Sequence, residues 1–139
     1  MLPDKLALEV VTPERRLLAE TVDEVVLPGR TGYLGVLPGH APLLTSLAIG
    51  ELEYRKGTDK KYLAVAWGFA EILPSRVIVL AEIAEKAEEI DVERAQQKKA
   101  SVEAELKAPG DFFDFDRAQA SLRKALIRLQ VADKRARQP

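Results

Sequence analysis

The side chains of this 139-residue chain that could carry chemistry are one histidine, a glycine cluster and a set of charged residues in its last third. His40 lies in Pro38-Gly39-His40-Ala41-Pro42, a turn with no cysteine beside it and no carboxylates at ligand spacing. A metal site needs several such donors, and a Ser-His-Asp arrangement needs a histidine placed between a nucleophile and an acid. A lone histidine in a turn reads as a structural or interface residue. Gly29-Arg30-Thr31-Gly32-Tyr33-Leu34-Gly35 superficially resembles a dinucleotide loop. Its middle and last glycines are wrongly spaced, however, and Pro38 and Pro42 forbid the helix that must follow. No Gly-Lys-Ser or Gly-Lys-Thr element cradles a phosphate. These residue types point to a binding or structural module and away from an enzyme.

The elements that position these residues have two grammars. Up to about Glu89 the chain reads as β structure. Apolar runs at Leu6–Val11, Val22–Leu27, Gly32–Leu37, Ala48–Tyr54, Lys61–Trp67, Phe69–Leu73 and Arg76–Ala81 are separated by Pro and Gly signals. Short runs at this spacing predict a sandwich or barrel. Leu52 and Tyr54 share one strand face, and Glu51, Glu53 and Arg55 share the other, as in a half-buried antiparallel strand.

The remainder reads as helix. Asp91 to Lys107 contains no Gly or Pro and is rich in Ala, Glu, Gln and Lys. Asp91 is placed to cap it, and Ala108-Pro109-Gly110 breaks it. Asp114 opens a second helix that runs to about Lys134, with Asp116 in its first turn where the dipole favours negative charge. Phe115, Ala118, Leu122, Ala125, Leu126, Leu129 and Ala132 make its apolar stripe. The first helix has a thinner one, Val92, Ala95, Val102 and Leu106, interrupted by Lys99. A short loop between two helices predicts an antiparallel hairpin. Its alanine-rich contacts bury little area, and at roughly 25 cal/mol per Å² they hold weakly. The expected architecture is therefore α+β, with β structure over 1–89 and a helical hairpin over 90–139.

Composition narrows the partners. The net charge is −1 and aromatics are 6 %, which offers neither a basic footprint nor stacking platforms for nucleic acid. Absence of cysteine rules out disulfides and thiolate metal sites. No run reaches the roughly 18–20 apolar residues of a membrane span, so membrane association is expected through a partner and not by insertion. Met1-Leu2-Pro3-Asp4-Lys5 lacks the basic n-region and apolar core of a signal peptide. From Arg117 onward Asp133 is the only acidic residue among many basic ones. That pattern suits a solvated helix face with a basic tail, or a docking face for an acidic partner.

Gly32-Tyr33-Leu34-Gly35-Val36-Leu37-Pro38-Gly39-His40-Ala41-Pro42-Leu43-Leu44-Thr45 resembles the signature of the ATP synthase epsilon subunit family, called delta in mitochondria. Leu8-Glu9-Val10-Val11-Thr12-Pro13-Glu14-Arg15, Ala66-Trp67-Gly68-Phe69-Ala70-Glu71-Ile72 and Val77-Ile78-Val79-Leu80-Ala81-Glu82 are similar to it too. So are Ile90-Asp91-Val92-Glu93-Arg94-Ala95 and Leu126-Ile127-Arg128-Leu129-Gln130-Val131-Ala132. The match follows family order over nearly the whole chain. The resemblance implies an N-terminal β-sandwich and a C-terminal two-helix hairpin in a non-catalytic rotor subunit. It would couple c-ring rotation to the catalytic head of a proton-translocating ATP synthase, at the cytoplasmic side of a bacterial plasma membrane. The sandwich would grip the gamma subunit and rest on the c-ring. The hairpin would fold against the sandwich, or extend along gamma and block ATP hydrolysis.

The family's residue roles carry over unevenly. Arg30, Tyr33 and His40 match the region facing the c-ring, with Tyr33 where many relatives have an acidic residue. Arg117, Arg123, Lys124 and Arg128 match the helix face that meets the beta and alpha subunits of the catalytic head. No cofactor is implied as required, but some relatives bind regulatory ATP in the folded hairpin. Glu85, Ile90, Asp91, Arg94, Ala95 and Arg128 fit that pattern, while Ser101 and Lys124 stand where such relatives have arginine. Lysine keeps the charge but loses the planar fork for phosphate, and serine loses the charge. Lys98 and Lys99 are the nearby substitutes, expected on other faces of the helix. The alternative function is a free-standing ATP-sensing module with the sandwich as a passive base.

Overall fold

The computed structural model describes residues 2–138. Seven strands come first: β1 (Leu6–Val11), β2 (Arg16–Val22), β3 (Glu24–Gly29), β4 (Gly32–Val36), β5 (Leu43–Lys56), β6 (Asp59–Leu73) and β7 (Arg76–Lys86). A 3-10 turn at Ala87–Glu89 leads into α1 (Val92–Lys107) and α2 (Phe115–Ala136). The strands hydrogen-bond in the order β2-β1-β7-β6-β5-β3-β4, antiparallel except where β1 runs alongside β7.

Strands from both ends of that order share one core. Leu6, Leu8 and Val10 of β1 and Val22 of β2 join Val25 and Leu27 of β3, Val36 of β4 and Leu52 of β5 in a single buried cluster. A flat sheet cannot bring its edges together, so this sheet folds over into two layers around its apolar face. The long strand β6 bends at Trp67 and Gly68, which have φ of 57° and 115°. A Cβ at Gly68 would stand 2.0 Å from the Leu80 carbonyl oxygen, so only glycine passes this close to β7. Trp67 adopts a backbone conformation that L residues rarely take, and the pairing of β6 with β5 and β7 on both sides of it fixes the bend.

The α+β architecture, strands then hairpin, is the one expected, but the strand bounds differ: Val22 closes β2 and β3 starts at Glu24, β7 runs past Ala81 to Lys86, and three larger departures follow. Lys61–Trp67 and Phe69–Leu73 are one strand, β6, bent and not broken at Trp67-Gly68. β5 begins at Leu43 rather than Ala48. β2 was not expected, because adjacent Leu17 and Leu18 are both buried and spoil the alternation by which a strand is recognised.

Both helices start where a carboxylate can cap them. Asp91 Oδ1 accepts from Arg94 N–H at 3.1 Å, and Asp114 Oδ1 accepts from Arg117 N–H at 3.1 Å. α1 packs chiefly on α2 and buries Ala95 and Val102. α2 buries Ala118 and Ala125, while Ile127 and Val131 enter a second, smaller core with Ile49, Ala64, Ala66, Ala87 and Ile90. Phe115 and Leu126, placed on the α2 stripe by their spacing, remain 54 % and 44 % exposed. The hairpin thus lies on the outer face of β5 and β6, opposite the sandwich core.

Candidate functional site

An open groove of roughly 860 Å³ runs between the hairpin and the outer face of β6 and β7. From the sheet come Trp67, Ile83 and Glu85. From α1 come Arg94, Gln97, Lys98 and Ser101, and from α2 Arg117, Ala120, Ser121, Lys124, Ala125 and Arg128. Five basic side chains therefore face one carboxylate. Arg128 is engaged with it: Nη2 donates to Glu85 Oε2 at 3.1 Å, and Nε lies 2.7 Å from Oε1. Among the described residues, no ion pair holds Arg94, Lys98, Arg117 or Lys124. Lys124 Nζ sits 4.9 Å from the centre of the Trp67 ring, a cation–π contact. Such a groove attracts an anion with several oxygens and offers an apolar wall beside it.

The structure brings together only part of the expected ATP set. Glu85, Arg94 and Arg128 line the groove, and so do Ser101 and Lys124. Ile90, Asp91 and Ala95 do not. Ile90 is buried in the second core, Asp91 is spent on capping α1, and Ala95 is buried in the hairpin. Lys98 corrects the sequence reading. It stands four residues after Arg94, which on a helix is the same face, and it lines the groove, partly replacing the charge absent at Ser101. Trp67 and Ile83 were not anticipated, because nothing in their spacing indicates which outer face the hairpin later covers.

The basic face of α2 is divided between two tasks. Arg117, Lys124 and Arg128 turn to the groove. Arg123 Nε donates to the Ile49 carbonyl oxygen at 3.3 Å, tying α2 to β5. Towards the C-terminal end of α2, Gln130 Nε2 donates to Glu51 Oε2 at 2.7 Å, and Lys134 Nζ lies 2.8 Å and 2.9 Å from the two Glu51 oxygens. That hydrogen bond to Glu51 holds the Lys134 ammonium above the usual lysine range. Glu51 was expected on a solvent face, but it is 6 % exposed because α2 lies over it. At the root of the hairpin, Arg15 Nη2 meets Glu89 Oε2 at 2.5 Å and pulls the Glu89 carboxyl below its usual range.

Arg30, Tyr33 and His40 lie away from this groove. Arg30 is exposed in the turn between β3 and β4, and His40 Nδ1 contacts the Ala41 carbonyl oxygen at 2.7 Å in the β4–β5 loop. Tyr33 reaches back across the sheet, and its hydroxyl accepts from the Glu51 N–H at 3.2 Å. A Cβ on Gly50 would stand 2.5 Å from Pro28 Cβ and 3.0 Å from that hydroxyl, so glycine makes room for this crossing. Among the described residues no group of three acidic or histidine side chains could hold a metal, and no helix is long and apolar enough to cross a membrane.

Comparison with known proteins places the whole chain. Residues 5–87 match the family described as ATP synthase, Delta/Epsilon chain, beta-sandwich domain, and residues 88–133 match its long alpha-helix domain. The ATP synthase epsilon chain of Citrifermentans bemidjiense is 51 % identical over 136 residues, covering 96 % of this chain and 98 % of that one. ATP synthase epsilon chain 2 of Syntrophotalea carbinolica is 48 % identical over 135 residues, covering 96 % and 97 %. A chain in the structure of the Euglena gracilis mitochondrial ATP synthase shares the fold, with a TM-score of 0.77 at 24 % identity, covering 98 % of this chain and 84 % of that one.

Proposed function

The chain belongs to the ATP synthase delta/epsilon family, and from that premise we propose that it is a non-catalytic central-stalk subunit with two jobs. In this reading residues 1–89 grip the gamma subunit and rest on the c-ring through the Arg30 turn, Tyr33 and the His40 loop. They carry rotation between proton flow and ATP synthesis. Residues 90–139 restrain ATP hydrolysis by leaving the sandwich and presenting Arg117, Arg123, Lys124 and Arg128 to acidic surfaces of the beta and alpha subunits. The complex would hold the chain peripherally at the cytoplasmic side of a bacterial plasma membrane.

The observation that supports the brake most is the separateness of the two cores. The hairpin rests on a small mixed patch of isoleucine, valine and alanine with charge contacts around it, while the much larger sandwich core closes without it. A hairpin held in this way leaves without unfolding its base, and competing docking sites decide its position. ATP hydrolysis by the catalytic head containing gamma tests this, with no addition, with the full chain and with a chain cut after Glu89. Inhibition by the full chain, lost on truncation while binding to gamma persists, is the expected result. Equal inhibition by both chains would overturn the brake, and failure of both to bind gamma would overturn the anchor.

The groove favours a second role for the same hairpin as an ATP sensor. Arg94, Lys98, Lys124 and Arg128 would meet the phosphates and Trp67 would wall one side, so bound ATP would favour the compact form. Calorimetry on the isolated chain tests it: binding abolished by Arg94→Ala supports a sensor, and no heat with wild-type chain at millimolar ATP removes it.

A further inference from the structure

Resting on the regulatory reading of the hairpin, we infer that Glu51, Gln130 and Lys134 form a latch that holds α2 in register on the sheet, independently of any ligand in the groove. Glu51 stands on the outer face of β5 and is 6 % exposed. Among the described residues its carboxylate finds its partners on α2 alone: Gln130 Nε2 at 2.7 Å, and Lys134 Nζ at 2.8 Å and 2.9 Å. Gln130 and Lys134 are four residues apart and project from one helix face, so both engage together or not at all. The Lys134 ammonium also rests 5.3 Å from the centre of the Tyr62 ring, on the neighbouring strand β6.

The contact is lopsided, since the Glu51 side chain is 7 % exposed and that of Lys134 43 %, so the burial cost falls on the carboxylate. Desolvation offsets most of the Coulomb attraction, so the pair adds little net stability. Removing one partner is different, because it strands a charge out of water. With the hairpin docked, Glu51 therefore requires Lys134. With the hairpin released, Glu51 is solvated and requires nothing. A slip of α2 by one residue would carry Lys134 off the sheet-facing side and leave the carboxylate covered and unpaired. The latch thus selects one docked register and leaves the release reversible. The Glu85–Arg128 pair has another role, since it lies in the open groove where a bound anion would compete for the arginine.

Hydrogen exchange on the full-length chain tests the latch, comparing wild type, Lys134→Met, Glu51→Met and the double substitution. Methionine at position 134 keeps the stem over Tyr62 and removes only the charge. Lys134→Met is expected to speed exchange of the α2 amides by about tenfold. Glu51→Met is expected to leave them near wild type, and the double substitution to follow Glu51→Met, while β1 and β2 exchange stays unchanged throughout. Should Glu51→Met not fold, Glu51→Gln must give the same ordering. Wild-type exchange in Lys134→Met, or a double substitution as fast as Lys134→Met, would overturn the latch. The readout needs no catalytic head. A chain that latches but does not inhibit hydrolysis overturns the regulatory reading and leaves the latch standing.

Discussion

The sandwich core and the core beneath α2 are built on opposite faces of the same two strands. In β5, Leu52 and Tyr54 point into the sandwich, while Ile49 joins the helix-side core and Glu51 lies under α2. In β6, Leu63 and Val65 point inward while Ala64 and Ala66 point to the helix. One face is made mainly of leucine and valine and closes on five further strands. The other is smaller and mixes Ala64, Ala66 and Ala87 with Ile49, Ile90, Ile127 and Val131 beside the Glu51 carboxylate. Large branched side chains interlock over a wide area and come apart only on unfolding. Small side chains and ion pairs bury less, and water readily replaces what they lose. In the proposed reading, the same strands carry one permanent interface and one separable interface.

The strongest way to sharpen this comparison is to remove one large side chain from each face. Leu52→Ala should cost about 3 kcal/mol of unfolding free energy, read by urea denaturation of the whole chain. Ile127→Ala should cost about 2 kcal/mol, the low end of such deletions, since the core around it is small and Ile127 keeps some exposure. That loss is expected in docking alone: α2 amides exchange faster while the denaturation midpoint of residues 1–89 holds. If Ile127→Ala lowered that midpoint as Leu52→Ala does, the two cores would be one cooperative unit and the comparison would fail. Asp91→Ala should cost about 1 kcal/mol by leaving the Arg94 N–H uncapped, seen as reduced helical circular dichroism with the strands intact.

The smallest effect expected is that of pH. Arg15 lowers the Glu89 carboxyl, so this pair contributes fully above the unfolded glutamate value of about 4.3 and is lost as pH falls through the lower folded value. Glu51 raises Lys134, so that contact contributes fully below the unfolded lysine value of about 10.4 and is lost as pH rises through the higher folded value. The first pair lies within residues 1–89 at the root of the hairpin, and only the second joins α2 to the sheet. Protection of the α2 amides, taken relative to their intrinsic exchange rates at each pH, should fall as Lys134 loses its proton and before the apolar sandwich core responds.

What the sequence makes legible follows the same division. The two helix caps are local signals and are found where expected, whereas the apolar stripes are only partly so: Ala95, Val102, Ala118 and Ala125 are buried, Val92, Phe115 and Leu126 are exposed, and Ile127 and Val131, outside the expected stripe, are buried on α2. β2 escapes because its consecutive buried leucines show no alternation. Glu51 escapes for a deeper reason. Alternation along β5 reveals that a strand has two faces, but not that a helix far along the chain will cover the polar one. Lys98 was recoverable from helical spacing to Arg94, whereas Trp67 and Ile83 become groove residues only once the hairpin chooses its side.

The most direct test of an anchored sandwich with a separable hairpin is to forbid the separation. The chain has no cysteine of its own, and Gln138 Nε2 reaches the Lys60 carbonyl oxygen at 2.5 Å. Lys60→Cys with Gln138→Cys, joined by a short reducible cross-linker, would tie the end of α2 to β6. ATP hydrolysis by the catalytic head containing gamma would then be measured with the tied and the reduced chain. The account predicts that both bind gamma, that the tied chain does not inhibit, and that reduction restores inhibition. Equal inhibition by the tied and reduced chains would contradict it, because the brake would then act without the hairpin leaving its sheet.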